Sequence, residues 1–188
     1  MRRASQIVLS IATTAQLALA GVVCAQPAHL EYEVKAAFVY NFAKFVEWPS
    51  SAFADKDAPL VFCIVGHDPF KGELEHIVDG RTANGRRIVV RDDINPTDGS
   101  ACHLAFVPAA EDARVMRVVP ALHSASGATI LTVGETDEFA AAGGMIRLFI
   151  EAERVRFDID TVSAERAGLK VSSHLLKLAR DVRTRDAR

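Results

Sequence analysis

Three mostly apolar runs of strand length constrain the fold of this chain more than any other feature. They are residues 60–66 (LVFCIVG), 103–108 (HLAFVP) and 128–134 (ATILTVG). The first is apolar at every position, rather than at alternate positions, which is typical of a strand covered on both faces. Such strands occur in parallel sheets with helices on each side, so the runs predict an α/β fold.

The segments between these runs complete the pattern. Residues 86–92 (RRIVVRD) predict a further strand, while residues 69–78 and 111–123 predict helices. Strands that alternate with helices predict an open, mostly parallel sheet flanked by helices, with Rossmann-like topology. In the simplest strand order, the strand at 60–66 lies between those at 86–92 and 103–108.

Before the first strand, residues 31–49 (EYEVKAAFVYNFAKFVEWP) predict a long helix. Apolar residues recur at three- and four-residue steps and leave few polar positions, so the helix should be buried on more than one side and support the sheet. Glu31 and Lys35 form an i,i+4 charge pair near its beginning. Proline cannot continue the helical hydrogen bonds, so Trp48 and Pro49 should end it.

The pattern changes after residue 144. Residues 145–151 and 154–160 are separated by two residues, which is hairpin spacing and predicts an antiparallel pair. The second of these strands alternates charged with apolar residues, so we expect one wet face near an edge of the sheet. Ser172 should cap a final helix. The predicted buried face of that helix carries Leu175, Leu178, Ala179 and Val182.

The first 25 residues have the features of a cleaved secretory signal peptide. Arg2 and Arg3 supply a positive beginning, residues 7–20 are mostly apolar, and small residues precede a cut after Ala25. The apolar stretch is too short and too interrupted for a membrane-spanning helix. We therefore expect an exported, soluble product in a bacterial periplasm.

Two other interpretations of this segment are open. Cys24 could be lipidated, although Val23 is a poor fit to the small residue that lipidation prefers, and the arginine pair could be a twin-arginine address. In each case the remainder, residues 26–188, is expected to be a single α/β domain.

The charge balance bears on the class of partner. The whole chain has a formal net charge of −2, and it becomes more acidic when the two N-terminal arginines are removed. No basic stripe is present in the sequence, so electrostatics exclude a nucleic-acid-binding protein.

The cysteines suggest one disulfide. Cys24 leaves with the signal peptide, so the mature protein keeps Cys63 and Cys102. Two cysteines in an oxidising compartment favour a bond. Alternatively they are two buried thiols that never meet. The strand order above favours the bond, because it places the end of one cysteine's strand beside the start of the other's.

No catalytic, metal-binding or cofactor-binding motif is found. The loop at 66–72 (GHDPFKG) matches neither dinucleotide-binding nor P-loop patterns, and the nucleophile-elbow, HExxH and CxxC motifs are missing from the sequence. We therefore expect a binding protein without catalytic residues, metal or cofactor. Two alternatives remain. One is a small-ligand sensor with a crevice near His67, Asp68 and Phe70, and the other is a hydrolase whose site the sequence does not reveal.

Several sequence blocks resemble the YfiR-like family of periplasmic proteins. The blocks occur in the expected order and cover about residues 31–183. They are VKAAFVYNFAKFVEWP at 34–49, CIVGHDPF at 63–70, CH at 102–103, FAAAGGMIRL at 139–148, RVRFDID at 154–160 and AGLKVSSHLLKLA at 167–179.

This resemblance implies a function. YfiR-like proteins repress an inner-membrane diguanylate cyclase by contact with its periplasmic region, which lowers cyclic-di-GMP signalling and biofilm formation. An OmpA-like outer-membrane lipoprotein can sequester them, and they look like homodimers. Cys63 and Cys102 match one cysteine pair of the family. A second family pair is missing near residues 137–144, which puts regulation through that second bond in doubt.

A binding role needs an exposed patch with apolar anchors and a charged rim. The C-terminal hairpin and the residues after it are the best candidates for contact with a partner. The candidate residues are Phe149, Glu151, Arg154, Arg156, Asp158 and Leu169. Alternatively they are ordinary members of an edge strand and of the core.

Overall fold

The structure is a computed structural model that describes residues 27–95, 102–124 and 129–185. The signal peptide predicted for residues 1–25, and Cys24 with it, lies outside the described residues. Six α-helices are α1 Pro27–Phe45, α2 Glu73–Val78, α3 Val115–Ser124, α4 Asp137–Ala141, α5 Thr161–Arg166 and α6 Ser173–Leu178. Short 3-10 helices cover Ser50–Ala52 and Ala109–Arg114.

The described residues contain ten strands, and most were expected. The first five are β1 Val46–Glu47, β2 Leu60–Val65, β3 Thr82–Ala83, β4 Arg86–Ile94 and β5 Leu104–Val107. The others are β6 Leu131–Gly134, β7 Ile146–Glu151, β8 Arg154–Asp160, β9 Lys170–Val171 and β10 Asp181–Arg183. The four strands predicted from residues 60–134 correspond to β2, β4, β5 and β6.

Eight strands form one sheet in the order β10-β8-β7-β6-β5-β2-β4-β3. Neighbours are parallel from β4 to β7, so the predicted open, mostly parallel sheet flanked by helices is confirmed. The first predicted strand, β2, pairs with β4 on one side and β5 on the other, as expected. The predicted hairpin of β7 and β8 is also present and antiparallel.

Helices cover both faces of this sheet and divide the core into two layers. On one face, Phe42 of α1, Leu74 of α2 and Leu175 of α6 pack over the β-strands. On the other face, α3 buries Val118 and Leu122 against the strands that carry the cysteines. Because helices cover both faces, the central strand β2 is buried along its whole length. This agrees with its continuous apolar sequence.

The first helix differs from the prediction at its C-terminal end. It ends at Phe45, and Val46–Glu47 instead pair with β9 in a small antiparallel ladder. The Asn84 side-chain amide donates to the carbonyl oxygens of Ala43 (3.1 Å) and Val46 (2.8 Å). Because these terminal carbonyls have partners outside the helix, it stops before the tryptophan-proline pair.

The last helix is also shorter than predicted. Ser172 caps α6 by accepting a hydrogen bond from the Leu175 backbone N–H, as expected, but the helix ends at Leu178. The chain then turns, and β10 pairs in parallel with the second half of β8. The prediction that Leu178 and Val182 share a buried helical face is therefore wrong. Leu178 is 57% exposed, and Val182 lies in a strand.

Candidate binding surface

The disulfide joins the sheet at its centre. Cys63 of β2 and Cys102, just before β5, are bonded with their Cα atoms 5.9 Å apart. Both cysteines are buried in the layer beneath α3. The bond closes a loop between neighbouring strands in the order that the sequence predicts, so it fixes this part of the sheet.

Beside the disulfide, His103 connects three segments. The Val61 backbone N–H donates to its Nδ1 (3.0 Å), so Nδ1 is the acceptor and Nε2 carries the proton toward the Ala52 carbonyl (3.1 Å). The ring also stacks on Phe53 at 4.5 Å between centroids. Burial lowers the pKa of His103, although the bond to Ala52 acts in the opposite direction. This histidine is therefore a neutral structural residue.

The crevice considered for a small ligand lies at the end of β2, and its residues already have intramolecular partners. Asp68 accepts hydrogen bonds from the backbone N–H groups of Phe70 (2.8 Å) and Gly72 (2.9 Å). Phe70 is buried and packs against Phe106 with the rings tilted by 57° and their centroids 4.6 Å apart. Two of the three proposed ligand residues thus stabilise the loop and the core, while His67 is exposed.

The ends of the parallel strands contain a buried ion network that the sequence analysis missed. Lys35 of α1 reaches Glu135, which follows β6, at 2.5 Å, and both side chains are about 95% buried. Glu31 is the second partner of Lys35, as predicted from their spacing. Glu135 also accepts from the Tyr32 hydroxyl (3.3 Å) and the Ala109 backbone N–H (2.8 Å). Every charge in this network therefore has a partner.

This network also affects Tyr32. Burial, and then the neighbouring Glu135 carboxylate, raise the pKa of the Tyr32 hydroxyl above its usual range. The phenol therefore remains protonated and continues to donate to Glu135 throughout the neutral range. Such a closed network attaches the beginning of α1 to the ends of the parallel strands.

The hairpin has two different faces, and the predicted contact residues divide between them. Phe149 lies opposite Arg156, and Glu151 lies opposite Arg154, all on the face away from α1. Asp158 lies on the same face, opposite Arg147. Five of the six predicted contact residues therefore share one face. Leu169 does not join them, because it is 2% exposed and belongs to the core.

Part of this outward face is saturated with internal bonds. Asp158 accepts from Arg147 (2.7 Å) and from two nitrogens of Arg180 (2.7 and 2.9 Å). Burial opposes ionisation of Asp158, but the bonds from Arg180 and Arg147 outweigh it and hold its pKa below the ordinary value. The two guanidinium groups lie over the Phe149 ring at 4.7 and 4.6 Å. Arg147 and Arg180 therefore hold Phe149 and Asp158 together on this face.

The opposite face of the hairpin borders an apolar groove of about 350 Å³ between α1, β8 and α6. We call it the hairpin groove. It is lined by Phe38, Asn41 and Phe45 of α1, by Val155 and Arg156 of β8, and by Leu178 of α6, above buried core residues. Asn41 is exposed here. Sequence reasoning missed the groove because it assigned Leu178 to the core.

Further exposed apolar surface lies close to this groove in the fold. Ile150 of β7 is 46% exposed and pairs with Val155, which lines the groove. Residues two apart on one strand share a face, so Val155 points to the side on which Phe157 contacts Phe38 and Phe42 of α1. Ile150, which pairs with Val155, points to the same side. The groove is therefore continuous with an apolar patch on the hairpin.

Within the described ranges 27–95, 102–124 and 129–185, no group of three histidine, cysteine or acidic side chains could hold a metal ion. Over the same residues, no helix is long and apolar enough to cross a membrane.

The chain is similar to known proteins in sequence and in fold. A family model described as YfiR/HmsC-like matches residues 32–180. A crystal structure of a conserved domain protein from Vibrio cholerae O1 biovar El Tor has a TM-score of 0.51 and 10% sequence identity, over 81% of this chain and 60% of that one. A tryptophan-complexed ABC domain from Streptococcus pneumoniae has a TM-score of 0.46 and 12% identity, over 83% and 60% of the two chains. At these identities the first likeness concerns the fold alone, and this chain spans about 60% of either structure.

Proposed function

Because the chain belongs to the YfiR/HmsC-like family, we propose that it is a periplasmic regulatory protein that represses an inner-membrane diguanylate cyclase by direct contact. In this role it lowers cyclic-di-GMP signalling and biofilm formation. The family match over residues 32–180 is the observation that carries the proposal. The fold adds support, because its exposed surface features are those of a binding protein.

Repression by contact requires differential binding and no chemical step. A protein that binds the inactive arrangement of a membrane sensor more tightly than the active one shifts the sensor toward the inactive arrangement. A tenfold preference corresponds to about 1.4 kcal/mol. A modest patch of apolar and charged side chains can supply that difference.

The contact surface that we assign to this role contains Arg154 and Arg156. Both are exposed on β8, and neither has an ion-pair partner among the residues that the structure describes. Glu151 and Phe149 are its neighbours across the hairpin. Leu169 is omitted from the surface because it is buried, and Asp158 supports the surface through its arginine partners.

Two finer features of the role follow the family resemblance. An OmpA-like outer-membrane lipoprotein would release the cyclase by sequestering the protein, and the functional unit would be a homodimer. The single pair Cys63 and Cys102 would be the bond through which an oxidising compartment stabilises the regulator. No cysteine occurs at residues 137–144, so a second redox-sensitive bond has no place there.

The first experiment tests the function itself. The chain is expressed together with the membrane diguanylate cyclase encoded nearest to it, and both cyclic-di-GMP and copurification of the two proteins are measured. We expect lower cyclic-di-GMP and copurification in detergent. A cyclic-di-GMP level that does not respond to the protein, with no copurification, would refute the proposal.

The second experiment locates the surface. Arg156→Glu should weaken copurification about tenfold and raise cyclic-di-GMP, because charge reversal repels an acidic partner surface. The matched control is Arg117→Glu on α3, an exposed arginine outside the proposed contact surface. Circular dichroism should be the same for both variants. Equal binding by the two variants would place the interface elsewhere.

A further inference from the structure

The arginines around the hairpin divide into two groups. Arg147 and Arg180 are held by Asp158, and Arg180 also reaches Glu151 at 3.5 Å. Arg154 and Arg156 form no such contacts within the described part of the chain. Arg156 belongs to the outward face of the hairpin but also lines the hairpin groove, at the part of β8 that precedes the pairing with β10. None of the residues that line the groove carries a carboxylate. The groove therefore combines an apolar floor with a cationic rim that lacks internal compensation.

The apolar side chains of the groove are placed for contact with another molecule. Leu178 is 57% exposed at the end of α6, while Leu175, one turn earlier, is 2% exposed and fills the core. Phe38 and Phe45 are half-buried on one side of α1. From Phe38 to Phe45 the helix advances about 10 Å, at 1.5 Å per residue. This is the length of two turns of a docked helix.

The shape of the groove favours a helix over an added strand. A strand would need free backbone groups along the edge of β8, but β10 pairs with Asp158–Asp160 and the Arg180 backbone N–H bonds to the Phe157 carbonyl. Only three residues of β8 precede these contacts. A helix satisfies its own backbone and needs only apolar pockets for anchors at i, i+3 or i+4, and i+7.

We propose that the hairpin groove is the docking site for an amphipathic helix of the membrane cyclase whose apolar face carries flanking carboxylates. This inference rests on the proposed function and names the chemistry of the partner segment. The apolar anchors of the helix contact Phe38, Phe45 and Leu178. A carboxylate beside them pairs with Arg156 at the rim.

The test compares substitutions at two exposed apolar residues, one in the groove and one outside it, by their effect on binding to the cyclase. Leu178→Glu places a negative charge in the groove, while Met116→Glu changes a residue that is 62% exposed on α3, across the sheet. With detergent-solubilised full-length cyclase, we expect at least tenfold weaker binding for Leu178→Glu and unchanged binding for Met116→Glu. Raising salt from 0.05 to 0.5 M should weaken the wild-type complex, and Arg156→Gln should reduce that salt dependence.

A photo-crosslinking amino acid at position 178 identifies the occupant, with the same amino acid at position 116 as control. We expect a cross-link from position 178 to a cyclase peptide with apolar residues at helical spacing and neighbouring Asp or Glu. Equal binding by Leu178→Glu and Met116→Glu would overturn the groove and leave the proposed function intact. A cross-link to a second copy of the chain, or to a peptide without that pattern, would also overturn it. Failure of the wild-type protein to bind the cyclase would remove both proposals.

Discussion

Two regions of the molecule differ in how their charged and apolar side chains are placed. They are the ends of the parallel strands and the groove beside the hairpin. At the strand ends, Lys35 and Glu135 are buried and paired, and the Tyr32 hydroxyl completes the network. At the groove, Arg156 has no partner in the described part of the chain and Leu178 is exposed. In the first region the polar groups bond to each other, whereas in the second an arginine and apolar side chains remain exposed.

The two regions show that a polar residue's role depends on whether its charge is already paired within the protein. A charge that is buried and fully paired is destabilising to disturb but offers nothing to a partner. An exposed charge beside apolar surface contributes little to stability, and its interactions become strong only when a partner excludes water. Stability measurements should therefore respond to the strand ends and the disulfide, whereas binding measurements should respond to the groove.

The largest loss of stability is expected from removal of the disulfide. The bond spans 39 residues, and its closure restricts the unfolded chain by about 4 kcal/mol in the chain-entropy description. Cys63→Ala should lower the melting temperature by about 10 °C. Cys102→Ala should match it, and the double variant should be no worse than either. Two free thiols in the denatured, unreduced protein would contradict the prediction.

A somewhat smaller loss is expected at the strand ends. Glu135→Leu leaves Lys35 buried with only Glu31, which is one-third exposed, and removes the acceptor of the Ala109 N–H. Breaking a buried ion pair in this way should reduce the free energy of unfolding by about 3 kcal/mol. Chemical denaturation measures it. Glu165→Leu, in an exposed pair with Arg185, is the control and should change stability by less than about 1 kcal/mol.

Acidification should have a moderate effect through His103. Its pKa is lowered in the folded protein, so the unfolded chain takes up a proton near pH 6.5 while the folded protein does not. Unfolding therefore binds protons in the window just below pH 6.5, and stability falls as the pH drops through it. Each unit of pKa difference corresponds to about 1.4 kcal/mol. Urea midpoints between pH 7.5 and 5 measure the slope.

His123 contributes to the same slope, because burial lowers its pKa as well. His103→Gln should therefore reduce the slope without abolishing it. A slope that is identical in the wild-type protein and in His103→Gln would show that His103 is not held neutral by the fold.

The smallest effect on stability is expected at the groove. Leu178→Ala should change the free energy of unfolding by no more than about 0.5 kcal/mol, because the side chain is more than half exposed. Leu175→Ala, three residues earlier on the same helix, should cost about 2–5 kcal/mol because that leucine is buried. Thermal denaturation distinguishes the two. A similar loss in both variants would mean that Leu178 packs in the core, and the contrast between groove and interior would fail.

Most strands of the sheet could be predicted from the sequence, which also favoured the disulfide. Continuous apolar runs occur in strands that are covered on both sides, and two-residue spacing allows only a hairpin, so β2, β5, β6 and the β7–β8 pair were predictable. The strand order then placed Cys63 beside Cys102. The turn of the hairpin shows why spacing was enough, because Ala152 and Glu153 both adopt the left-handed conformation that a two-residue turn requires.

Which residues face outward depends on tertiary contacts and could not be predicted from the local sequence. Leu175 and Leu178 are alike in local sequence, yet one is buried and the other exposed, because α6 ends where β10 gains hydrogen bonds with β8. In the same way, Glu135, the buried partner of Lys35, lies 100 residues away in sequence, and no local pattern identifies it. Helical and strand periods are local properties of a chain, whereas pairing across the sheet depends on contacts that form only when distant segments meet.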